Sequence, residues 1–244
     1  MSKEYLAFDI ETVPLPWEGF SESQQEYILR RAENEEDEEK MKGEMALTPL
    51  TAQVVCIGMQ MVVEKDDGSF DIKNRVAYAV DNTYDDETKI QEELALGDTC
   101  YLTNEKKMLE DFWKIFAKYP KINLVSFNGR NFDAPFLMLR SAILKVKPTR
   151  NLMSGTKFNY AYHIDLIDEL TFFTPSFYGA TKRFNFDFYT RAFGIASPKS
   201  EGIDGSKVKD FFAEGKILEI SDYCLRDVKA TWELYELWRQ YLAF

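Results

Sequence analysis

"YLAFDIETVP", residues 5–14, ends an apolar run by setting two carboxylates, Asp9 and Glu11, two positions apart. Residues 5–10 read as a buried first strand, and in a strand the side chains at i and i+2 share one face. Two like charges held side by side repel. Either they hang in solvent at a sheet edge, or a cation belongs between them.

Outward from this strand, a long excursion runs from Pro14 to Pro49. In it "SESQQEYILRRA" (21–32) predicts a helix behind a Ser cap. The acidic stretch "ENEEDEEKMKGE" (33–44) reads as a solvated helix or a mobile loop. "QVVCIGMQMVV" (53–63) and "DIKNRVAYAV" (71–80) predict a strand pair, with "KDDG" supplying the turn. Residues 81–100 are acidic and are expected to be irregular or partly helical. "NEKKMLEDFWKIFAKYP" (104–120) is an amphipathic helix with Leu109, Phe112, Trp113 and Phe116 as its stripe, Asn104 as cap and Pro120 as stop. A strand, "KINLVSFN" (121–128), and a helix, "APFLMLRSAILKV" (134–146), follow, and a long helix over 219–241 closes the chain. Strands first, then alternating helix and strand, predict an α/β fold: a mixed β-sheet flanked by α-helices.

The 244 residues, 45% hydrophobic and 15% aromatic, suffice for one large core. Without repeats or linker-like stretches, residues 1–244 are read as a single domain with an acidic insertion at about 14–50. No run of about 18 apolar residues occurs, and no signal-like start. A cytoplasmic protein without membrane contact is expected. Three scattered cysteines (Cys56, Cys100, Cys224) form neither a disulfide framework nor a zinc knuckle, and the lone histidine, His163, excludes a multi-histidine metal site. A net charge of −11 argues against a basic nucleic-acid stripe. That objection weakens for an enzyme whose carboxylates bind cations, because bound divalent ions reverse the local field.

Two further acidic sites stand at element ends. Asp133, in "SFNGRNFDAPF" (126–136), follows a strand that gives out at Asn128-Gly129. Asp227, in "YCLRDV" (223–228), shares a helical face with Tyr223. Taken singly, Asp133 is equally a helix cap, and Tyr223 with Asp227 a surface pair. The order of the three is more specific: Asp-x-Glu on a first strand, Asn-x4-Asp at a strand-to-helix turn, Tyr-x3-Asp on a C-terminal helix.

Together with "SPKSEGIDGSKV" (197–208), these pieces resemble the DEDD 3′–5′ exonucleases of the ribonuclease-H-like fold. The likeness is to the tyrosine branch related to the proofreading domain of family B DNA polymerases. The histidine branch would need His at position 222, which is Asp. The resemblance implies two divalent cations, Mg²⁺ or Mn²⁺, since hard ions take oxygen ligands. It implies Asp9, Glu11, Asp133 and Asp227 as metal-holding residues, with Asp9 bridging and Asp133 acting through water. Tyr223, whose ordinary pKa of about 10 makes it a poor base, would orient the attacking water. Glu11 and Thr12 would meet the terminal 3′-hydroxyl, Asn128 and Phe132 the substrate strand, and Lys199 a phosphate. Phe132 is also readable as a core aromatic, His163 as a structural group, and Asp165 and Asp168 as supports of the site or as surface charges.

The expected activity is removal of nucleotides from the 3′ end of nucleic acid, single-stranded DNA favoured over RNA. A silent binding module and an endonuclease on the same fold are the alternatives. The length leaves no room for a polymerase's fingers, palm and thumb. The resemblance therefore implies a nuclease that serves a polymerase or repair partner, or acts alone.

Overall fold

The computed structural model describes residues 3–197 and 203–243. Strand β1 (Glu4–Pro14) outruns its apolar stretch because its antiparallel pairing with β2 (Ala52–Glu64) continues to Pro14 opposite Ala52, through a register shift between Glu11 and Thr12. β2 turns at residues 65–69 into β3 (Phe70–Val80), the hairpin expected from "KDDG". The excursion between β1 and β2 contains α1 (Glu22–Leu29), behind a capping box of Ser21 and Gln24, and α2 (Glu35–Glu44), capped by Asn34. None of the α2 side chains is buried, so the acidic run is a solvated helix.

Residues 81–100 are irregular over 81–89 and 94–98, as expected, but two strands correct the expectation for the rest. These are β4 (Ile90–Glu93) and the start of β5 (Thr99–Thr103). β4 is exposed throughout, so no alternation marks it; its backbone pairing with β5 makes it a strand. Then come α3 (Glu105–Lys118), β6 (Asn123–Ser126), α4 (Asp133–Ile143), β7 (His163–Asp165), α5 (Leu166–Leu170), α6 (Phe186–Ala192), α7 (Val208–Ala213) and α8 (Ile217–Tyr241). Among the described residues the strands form one seven-stranded sheet in the order β4-β5-β3-β2-β1-β6-β7. β1 is antiparallel to β2 and parallel to β6, so the sheet is mixed, as expected.

Alternation along β1 sends its residues to two cores. Phe8 meets Phe112 of α3, with ring centroids 6.3 Å apart, whereas Tyr5 packs on Trp232 and Tyr235 of α8 at 5.7 and 5.5 Å. Asp9 and Glu11 are in phase with Tyr5 and therefore face α8. The far end of that helix is tied down by Arg239, which bonds Glu64 at 2.5 Å and the Tyr5 hydroxyl at 3.2 Å. On the opposite face Arg140 of α4 meets Glu105 of α3 in a buried ion pair, and Glu105 also accepts the Val54 N–H at 2.8 Å. No described helix is long and apolar enough to cross a membrane.

Candidate active site

The site begins where α8 comes down on β1 and β2. Gly58 of β2 lies directly opposite Asp9. A Cβ at Gly58 would stand 2.8 Å from Cys224 Sγ and 3.0 Å from Val228 Cγ2, so the absent side chain sets how closely the helix approaches. The Cys224 thiol then donates to the Asp9 backbone carbonyl at 3.5 Å, and the ligand atoms of Asp9, Glu11 and Cys224 lie within 4.8 Å of one another. Tyr223 and Asp227, one turn apart, reach the same hollow, and the phenol hydrogen-bonds the Asp227 carboxylate.

Asp133 arrives from the other side. Helix α4 begins at Asp133 itself and its side chain caps nothing; Oδ1 instead accepts the Ile10 N–H at 3.0 Å, between the two β1 acids. The cap reading is thereby replaced by a link across elements. The loop before α4 turns on Asn128, whose φ of 65° is left-handed. Asp165 at the end of β7 holds that loop by accepting the N–H groups of Asn128 at 2.7 Å and Arg130 at 2.8 Å. Gly129 is needed there, since a Cβ would fall 2.3 Å from Ser126 Oγ. His163 is buried, with Nε2 2.8 Å from Ser126 Oγ, in the structural role foreseen. Asp168 pairs with Arg183 and accepts the Tyr160 hydroxyl at 3.1 Å.

The result is a cleft of about 290 Å³ whose walls include Asp9, Glu11, Asp133, Tyr223 and Asp227. Burial, reinforced by Asp133, Asp227 and Glu11, pushes the Asp9 carboxyl well above the carboxylate range. Glu11 is raised by burial and then by Asp227, Cys56 and Asp133. Asp133 is pushed up to about 7 by burial, with the Ile10 N–H working against it. Tyr223 is raised by burial and by Asp227, Glu11 and Asp9, so its phenol stays protonated. A group of carboxylates that raise one another in this way, without an imidazole among them, fits hard divalent cations.

Of the residues singled out in the sequence, Asn128 and Phe132 also line the cleft. Phe132 is half-buried, packing its ring on Phe136 at 5.4 Å as the core reading expects while also lining the hollow. Thr12 is not brought in by its side chain, because its hydroxyl donates to the Ala46 carbonyl at 2.8 Å and so pins the excursion to β1. Lys199 lies outside the described residues. The sequence reading missed Cys224, Phe127, and the stretch Asn185, Phe186 and Asp187, which also line or back the site. Only the aromatic density of "FNFDFYTRAFGI" (184–195) signalled that stretch.

A family model described as a predicted 3′–5′ exonuclease related to the exonuclease domain of PolB matches residues 61–242. DNA polymerase 1 of Sulfolobus acidocaldarius is 31% identical over 137 residues, which is 54% of this chain and 15% of the polymerase. The family B DNA polymerase structure from Pyrobaculum calidifontis superposes on 97% of this chain and 24% of its own, with a TM-score of 0.55 at 17% identity. This chain thus spans a minor part of either polymerase, and the likeness in fold covers nearly all of it. With well over half of its length matched by that family model, the chain belongs to the predicted 3′–5′ exonucleases related to the exonuclease domain of PolB.

Proposed function

We propose that this protein is a divalent-metal-dependent nuclease that removes nucleotides one at a time from the 3′ end of single-stranded nucleic acid, DNA in preference to RNA. One observation carries the reading. Acids from three distant segments, Asp9 and Glu11, Asp133, and Asp227, meet in one cleft and repel one another there. Keeping such a cluster costs stability unless cations occupy it.

Asp9, Glu11 and Asp227 would hold the ions directly. Asp133 has one oxygen committed to the Ile10 N–H and would act through water with the other. A pair of Mg²⁺ or Mn²⁺ ions held by these residues would supply hydroxide at neutral pH and offset charge on the attacking and leaving oxygens. Cys224 stays a protonated thiol, because burial and its acidic neighbours push it up, and hard ions disfavour it as a ligand. Tyr223 cannot serve as a base with its proton held so firmly; its hydroxyl oxygen orients the attacking water by accepting a hydrogen bond while its proton goes to Asp227. Asn128 and Phe132 steady the terminal nucleotides, and the backbone at Glu11 and Thr12 meets the 3′-hydroxyl. The polymerase relatives support service beside a polymerase or in repair.

The test uses 5′-labelled single-stranded DNA and RNA with Mg²⁺, Mn²⁺ or EDTA, resolved by length. A metal-dependent ladder shortening from the 3′ end is expected. Internal cuts would make the protein an endonuclease, and intact strands in the presence of bound metal would make it a silent module.

A further inference from the structure

Beside the carboxylate cleft, and sharing Asn128 with it as a wall, lies a second cavity of about 480 Å³ lined by Arg130, Lys157, Tyr160 and Arg183. Its cations are unusual company in a chain of net charge −11. Its acids are turned inward: Asp165 is spent on backbone N–H groups and Asp168 on Arg183 and Tyr160, while Glu169 next to them is half-buried. The Arg130 guanidinium carbon sits over the Tyr160 ring, 4.1 Å from its centroid.

The segment that supplies Arg183 to this cavity exposes aromatic rings. Phe177 and Tyr178 are each 90% exposed at a tip closed by the bridge between Ser176 and Lys182. Lys182 sits over the ring of Phe184, and Phe184 stacks on Phe188 with centroids 4.9 Å apart. From that tip the chain passes Arg183 in the cavity wall and runs directly into Asn185, Phe186 and Asp187, which line the carboxylate cleft. Apolar rings left in water, interleaved with cations and continuous with the carboxylate cleft, match what an unpaired strand requires: faces for its bases and positive charge for its backbone.

We infer that residues 157–188 form a stacking platform for single-stranded nucleic acid. Bases upstream of the 3′ end rest on Phe177, Tyr178 and Phe184, and their phosphates meet Lys157 and Lys182, with Arg130 behind them. The direction of the strand rests on the proposed nuclease function; the binding does not. Stacking reads no hydrogen-bond pattern, so the platform accepts any sequence.

The test is fluorescence anisotropy with labelled oligothymidylates of ~4 and ~15 nucleotides in EDTA, lengths that end before and beyond such a platform. Replacing both tip rings (F177A/Y178A) is expected to weaken the longer strand by about 5- to 150-fold per lost stacked base. The shorter strand keeps its affinity, and F177W/Y178W restores the longer one. Lys182→Glu is expected to flatten the salt dependence of log K by ~1. Equal affinity of the long strand for wild type and F177A/Y178A overturns the inference, as does a loss that tryptophan fails to restore; the tip then serves something other than nucleic acid. Ring-dependent binding without cleavage in Mg²⁺ leaves the platform standing and removes the nuclease reading. Cleavage with ring-independent binding does the reverse.

Discussion

Gly58→Ala puts the geometry of the carboxylate cleft to its sharpest trial. The new methyl would lie 2.8 Å from Cys224 Sγ, 3.0 Å from Val228 Cγ2 and 3.3 Å from the Cys224 backbone carbon. Ordinary contacts of this kind are ~3.5–4 Å, so α8 must retreat by roughly 0.6–1 Å at this point. Overpacking on that scale costs ~1–3 kcal/mol, and for a chain of this size Tm falls ~2–4 °C per kcal/mol. The functional loss is larger, because Gly58 lies opposite Asp9 while Cys224 and Val228 bracket Asp227. Shifting Asp227 by ~1 Å from Asp9 and Glu11 is expected to lower kcat about 10²-fold and to weaken Mn²⁺ binding measured by electron paramagnetic resonance. Removing the obstacle should restore both, so G58A/C224A is expected to outperform G58A in rate and in Mn²⁺ affinity. A G58A protein with wild-type Tm, Mn²⁺ affinity and rate would refute the argument, as would a double variant no better than the single one.

Three other outcomes are expected. Asp9→Asn abolishes metal-dependent hydrolysis yet raises the Tm of the metal-free protein, since it removes one of the crowded charges; Tyr223→Phe keeps metal binding and a reduced rate, and equal rates for the two variants would contradict the roles assigned. His163, held down to about 3 by burial and by Arg130 and Arg150, stays neutral in the fold and titrates at ~6.5 when unfolded. Its contribution is full above ~6.5 and is lost as pH falls towards 3. Asp133 and Asp165, raised to about 7 and about 6, work in the opposite sense, so the difference between wild-type and His163→Gln melting curves, narrowing from pH 7 to 5, is the quantity to measure. Glu105→Ala strands Arg140 in the core and is expected to cost ~3–5 kcal/mol in denaturant unfolding, while Mn²⁺ affinity of the folded fraction is unchanged because the pair lies on the α3–α4 side of the sheet.

Sequence alone determined the elements whose signals are local. The capping box at Ser21, the amphipathic stripe and Asn104 cap of α3, the hairpin turn after β2 and the long α8 follow from neighbours within a turn or a pleat, and the structure has each of them. The residues that meet in the cleft were legible too, because Asp9 with Glu11, Asn128 with Asp133, and Tyr223 with Asp227 sit at spacings that a strand, a turn and a helix convert into shared faces. What no window of sequence contains is a contact made across the fold. β4 is an exposed charged segment that becomes a strand only because β5 offers its backbone. Asp165 read equally as a support of the site or a surface charge until the turn at Asn128 came within its reach. Gly58 and Cys224, 166 positions apart in the chain, decide how near Asp227 stands to Asp9, and that spacing arises only when α8 packs on the sheet. Residue types and their local periods encode which groups are present. Close packing between remote segments, which tolerates errors of only tenths of an ångström, decides whether those groups make a site.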